Sequence, residues 1–69
     1  MNEVYRLSVA TMGVFAQGEG RPVIIPAGST ITVPDGLGDA EGFIHCVWSE
    51  AKVAVLAMDI RDRGTLVRA

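Results

Sequence analysis

His45 and Cys46 are neighbours in the run Phe43-Ile44-His45-Cys46-Val47-Trp48, and a cysteine beside a histidine is the simplest pairing of a nucleophile with its base. The pattern around them is that of a strand, in which consecutive side chains point to opposite faces. A Cys–His dyad within one chain is therefore not expected. Cys46 reads as a small buried hydrophobe, and His45 as a surface or interface side chain. The chain has one His and one Cys, short of the four ligands a closed zinc site needs, so no metal is expected. Asp35, Asp39 and Glu41 lack the ligand spacing of a calcium loop and read as a solvated segment. Gly36-Leu37-Gly38-Asp39-Ala40-Glu41 lacks the third glycine of a dinucleotide fingerprint, so no nucleotide cofactor is expected. Asp59, Arg61, Asp62 and Arg63 alternate in sign over one turn and are expected to pair with each other. Alternatively, Arg61 or Arg63 grips an anion with its guanidinium fork. Trp48 reads as a core or hairpin-end residue, with a ligand-stacking platform as the second reading.

Short β segments must position these residues. Tyr5, Leu7 and Val9 alternate with Arg6 and Ser8, predicting a strand over residues 3–10 that Met12 to Phe15 continue, with Gly13 at a bend or bulge. Gln17-Gly18-Glu19-Gly20 is a turn. Pro22-Val23-Ile24-Ile25 begins with a residue that has no donor and so suits a strand start or an edge. Pro26-Ala27-Gly28-Ser29 predicts a type II turn with Gly28 at positive φ, and Thr30 to Val33 returns. Residues 34–42, with three glycines and three acids, predict an exposed, mobile loop. Gly42 to Trp48 form the next strand, and Ser49-Glu50-Ala51-Lys52 a hairpin turn of type I geometry, since no glycine is present. Val53 to Met58 returns as a strand, although Val53, Leu56, Ala57 and Ile60 also keep helical spacing, so one helix over residues 50–63 is the competing reading. A single 3₁₀ or helical turn near residues 59–63 and a closing strand at 65–67 complete an all-β chain. Five or six short strands in 69 residues fit a small closed or partly open barrel, residues 1–69 forming a single domain.

A domain of this size buries roughly 60% of the surface its unfolded chain exposes and usually needs a disulfide, a metal or a partner subunit. One cysteine cannot bridge internally, so assembly is the remaining device. Residues 43–47 are apolar on both faces, with Phe43 and Val47 flanking His45 opposite Ile44, Cys46 and Trp48. In the next strand Val53, Val55 and Ala57 oppose Ala54, Leu56 and Met58. One barrel has one interior, so the second face of this hairpin is expected to be an exposed apolar patch of the kind that marks an interface. The reading is a homo-oligomer, most simply a twofold dimer, with Phe43, His45, Val47, Trp48, Val53, Val55, Arg61 and Arg63 as interface or binding candidates. Protonation of a histidine at a symmetric contact would weaken such an assembly. The competing reading folds the loop of residues 34–42 over that face.

The chain also resembles a family. Ile25-Pro26-Ala27-Gly28-Ser29, an apolar strand ending in Trp48, and Met58-Asp59-Ile60-Arg61-Asp62-Arg63-Gly64 are similar to the IPAG turn and W…F..DLRxRG ending of a group of short uncharacterised bacterial proteins. Ile60 takes the place of the usual leucine. The resemblance spans most of residues 20–66 and implies a small SH3-like barrel with a one-turn helix before its last strand. It implies no activity.

Six basic against eight acidic residues, net charge −2, leave no basic stripe for phosphates, so nucleic acid is not an expected partner. The apolar run from Val53 to Met58 is far short of the ~20 residues of a membrane span. The first residues bring an acid before any base and no signal-peptide core, so the expected location is the cytoplasm. The leading functional reading is a non-catalytic, homo-oligomeric interaction module. The alternative is a small-molecule binder or enzyme whose site forms only at the oligomer interface.

Overall fold

The computed structural model describes residues 2–69. Seven strands and one helix follow in the order β1 (Glu3–Leu7), β2 (Thr11–Phe15), β3 (Pro22–Ile25), β4 (Thr30–Val33), β5 (Phe43–Trp48), β6 (Ala51–Leu56), α1 (Ala57–Arg63) and β7 (Gly64–Arg68). All strand pairs are antiparallel, and they form one sheet in the order β3-β2-β6-β5-β4-β1-β7. The sheet is not closed, since β3 and β7 are its two edges. It curls enough for Leu7 of β1 and Ile25 of β3, from opposite halves of the strand order, to share one core with Ile31, Val33, Leu37, Cys46, Val53, Val55, Ala57 and Ile60.

Several expectations are corrected. The first segment is two strands that are not neighbours, because the chain bends at Ser8 and Val9 and leaves Val9 half-exposed. Gly13 marks no bulge: β2 keeps regular register with both neighbours. A Cβ there would lie 3.1 Å from the Ala54 carbonyl oxygen and 3.3 Å from Val55 Cγ2, so glycine lets β2 lie close against β6. Gly28 takes φ 86°, as its turn requires.

The hairpin between β5 and β6 turns on Ser49 and Glu50 alone, at φ 50° and 66°. Two positive values make this a type I′ turn rather than type I. Such a conformation costs roughly 1–2 kcal/mol at each non-glycine residue. Six residue pairs from Phe43–Leu56 to Trp48–Ala51 outweigh that cost and impose the right-handed twist that type I′ matches.

The helix begins at Ala57, two residues before the expected turn, and strand and helix share the stretch that either pattern alone could claim. Alternation runs to Leu56; beyond it, Ala57 and Ile60 are fully buried three residues apart, on one helical face. Asp59 lies in the first turn and Arg61 and Arg63 in the last, the arrangement the helix dipole favours. The two arginines do not aim these donors at Asp59 and Asp62. Arg61 Nη2 donates to the carbonyls of Gly38 (2.9 Å) and Ala40 (2.7 Å), and Arg63 Nη1 to that of Ala10 (3.2 Å). No helix among the described residues is long and apolar enough to cross a membrane.

Candidate interaction surface

Alternation divides the hairpin's side chains between the core and a second face. On β5, Cys46 is buried, and Ile44 and Trp48 pack partly buried against the core, while Phe43, His45 and Val47 face outward. On β6 the sides are reversed from the sequence reading: Val53 and Val55 have no exposed surface, and Ala54 and Leu56 face out. Val53 and Val55 are therefore removed from the interface candidates, and Trp48 takes its structural role. Arg61 and Arg63 are exposed but turn donors back onto the chain's own carbonyls. Of the candidate side chains, only Phe43, His45 and Val47 form a common outward surface.

That surface is wider than the hairpin. Ile24 of β3 pairs with Met12 of β2, and Leu56 of β6 pairs with Phe43 of β5. Met12 and Leu56 meet one step beyond the Gly13–Val55 pair. One cross-strand row thus carries Ile24, Met12, Leu56 and Phe43, exposed at 56%, 58%, 37% and 59%, with Met58 of α1 following at 66%. The next row holds Val14, Ala54 and His45. Beyond it Lys52, Val47 and Thr32 make the border partly polar. Met12, Ile24, Leu56 and Met58 were not singled out in the sequence, because their neighbourhood comes from the non-local pairing of β2 with β6 and β3. The outward direction of Leu56 was legible, since it shares the parity of Ala54 on the same strand.

The loop of residues 34–42 does not cover this face. It inserts Leu37, 7% exposed, into the core. The Leu37 N–H donates to Glu3 Oε1 at 2.8 Å, and the Tyr5 hydroxyl donates to the same oxygen at 2.7 Å. The Tyr5 hydrogen bond, then the Leu37 amide, hold the Glu3 carboxyl below its usual range. Burial first, then Glu3, push the Tyr5 phenol up to about 12.

The chemistry of this region is modest. Burial pushes the Cys46 thiol up to about 11, and its 1% exposure keeps reagents from it. His45 lies exposed on the other face of the same strand, so the two do not converge. Cys46 is accordingly expected to resist a disulfide-exchange reagent in the native protein and to react at once in urea, where the thiolate is accessible. Rapid stoichiometric modification under native conditions would overturn this assignment. Among the described residues no group of three His, Cys, Asp or Glu side chains is placed to hold a metal ion.

No protein-family model, curated protein or solved structure matches the chain.

Proposed function

We propose that this protein is a non-catalytic interaction module of SH3-like barrel type that self-associates through the outer face of its sheet as a twofold dimer. The observation that carries the reading is the row Ile24–Met12–Leu56–Phe43, four large apolar side chains in one exposed stripe across four strands. The largest apolar patch on a monomer is typically ~300–600 Å² and is often functional. Covering ~400 Å² on each of two copies is worth ~20 kcal/mol gross at ~25 cal/mol per Å², against association costs of about 4–15 kcal/mol. Standard interfaces bury roughly 800 Å² per partner. The stripe must therefore recruit its neighbours Val14, Ala54, His45 and Val47, and His45 lies inside the contact.

Association by the face is favoured over extension at the β3 edge. The Phe15 N–H donates to the Arg21 carbonyl, which by alternation bonds Gly13 to Val23 and Thr11 to Ile25 and turns Pro22 and Ile24 outward. Pro22, and Pro26 at the next outward position, have no N–H, so a single donor faces a would-be partner strand.

Sedimentation velocity at micromolar to tens of micromolar chain is expected to give a dimer, and Leu56→Asp a monomer with an unchanged circular dichroism spectrum. A wild-type chain that stays monomeric across that range overturns the proposal.

A further inference from the structure

The sheet contains a split that the outer face does not explain. The Ala57 N–H donates to the Gly42 carbonyl at 2.8 Å, so by alternation Ile44, Cys46 and Trp48 bond to β6 while Phe43, His45 and Val47 turn their main-chain groups toward β4. Only Val47 finds a partner there, Thr32. Two residues further along, the position opposite His45 is Pro34, which has no N–H to give, and the ladder stops. From Phe43 to His45 the strand therefore presents a free edge inside the sheet.

The split opens into a groove of about 410 Å³ lined by Val33, Pro34, Asp35, Gly36, Ala40, Phe43, Ile44 and His45. The volume falls in the range of roughly 300–1,000 Å³ typical of ligand sites. It is a half-open cleft whose lining is mostly apolar and includes the free edge of β5. At ~3.3 Å per extended residue, the two free residues match about three residues of an added strand. Asp35 supplies a carboxylate at the lining, and the same loop carries Asp39 and Glu41, both exposed. The nearby cation Arg61 is held by the Gly38 and Ala40 carbonyls.

We infer that this groove accepts an extended segment of a partner protein as an added strand along Phe43–His45, and that the segment alternates apolar and basic residues. Main-chain hydrogen bonds to Phe43 and His45 supply affinity, and the alternate side chains supply selection, valine-sized groups on the apolar wall and Lys or Arg toward Asp35. The inference does not require the self-association proposed above, although Phe43 belongs to both surfaces.

Two blocked peptides, Ac-Val-Arg-Val-Arg-Val-NH2 and Ac-Val-Glu-Val-Glu-Val-NH2, are titrated into the ¹⁵N-labelled full-length chain and into its Leu56→Asp variant. The basic peptide is expected to shift the amide signals of Phe43 and His45 and to slow their hydrogen exchange about tenfold. The acidic peptide is expected to bind more weakly, and Asp35→Asn to weaken the basic peptide about two- to fivefold, the worth of one exposed ion pair. Because Leu56→Asp sets a carboxylate opposite Phe43, binding to the variant alone supports the groove only if Asp35→Asn added to that variant weakens it, and overturns the inference if it does not. Binding to neither chain overturns the inference, as do equal affinities for both peptides or shifts confined to the β3 and β7 edges.

Discussion

Gly64→Ala is expected to destabilise the protein by about 2–3 kcal/mol, the upper part of the range for overpacking a tight site. Gly64 is the first residue of β7 and follows α1 without a loop. Its φ of −105° and ψ of 152° are open to any residue, so the constraint is space. A Cβ on Gly64 would lie 2.6 Å from the Ile60 carbonyl oxygen, the same oxygen that accepts the Gly64 N–H and closes the helix. That oxygen is main chain and cannot swing aside; relief means breaking the bond or tilting β7 away from β1. Absent the clash, a glycine-to-alanine change at such a backbone position would stabilise by about 0.4–1 kcal/mol through the unfolded chain, so the two outcomes differ in sign. For a domain whose net stability is about 3–10 kcal/mol at this length, the loss lowers the melting temperature by about 10–20 °C. Urea denaturation followed by the fluorescence of Trp48 should show a lower midpoint at unchanged slope. A variant as stable as the wild type would mean that β7 is free to adjust.

Leu37→Ala is expected to cost about 2–3 kcal/mol, the low end of the range for large-to-small changes in a core, because a loop can partly settle into the space left. Leu37 is the part of the 34–42 loop that enters the core, 7% exposed among Val33, Cys46 and their neighbours, and its N–H is held by Glu3. The same substitution should loosen the groove, since Gly36 and Ala40 on either side of Leu37 line it. Faster hydrogen exchange at the amides of residues 36–40 would report that loosening separately from global stability. Were Leu37→Ala to leave the denaturation midpoint in place, residues 34–42 would be the exposed segment their composition suggests.

The close approach at Gly64 bears on the resemblance noted in the sequence. Within Asp59-Ile60-Arg61-Asp62-Arg63-Gly64 the structure gives Ile60, the two arginines and Gly64 a mechanical task. Ile60 fills the core, Arg61 and Arg63 hold the loop and the β1–β2 bend through carbonyls, and Gly64 admits a helix-to-strand junction with no linker. These roles require no ligand.

Period-two alternation and turn chemistry determined much of this protein without any coordinates. The strands at Pro22–Ile25, Thr30–Val33 and Phe43–Trp48, the turn at Gly28, and the separation of His45 from Cys46 all follow from local rules, and local rules act on neighbours in the chain. The greasy second face of β5 was legible for the same reason. What local pattern could not decide was which partner each strand meets. The competing spacings of residues 51–63 were resolved only when β6 found β5 and β2 on either side and Ile60 found the core. The sides of Val53 and Val55 were fixed by a type I′ turn at Ser49 and Glu50 that local preference disfavours and six cross-strand pairs impose. Leu37 sits in a stretch whose glycines and acids read as solvent-exposed, and its burial depends on Glu3, thirty-four residues away in sequence. The exposed row from Ile24 to Phe43 and the split between β4 and β5 likewise exist only in the assembled sheet, because a surface shared by four strands is a property of their order in space.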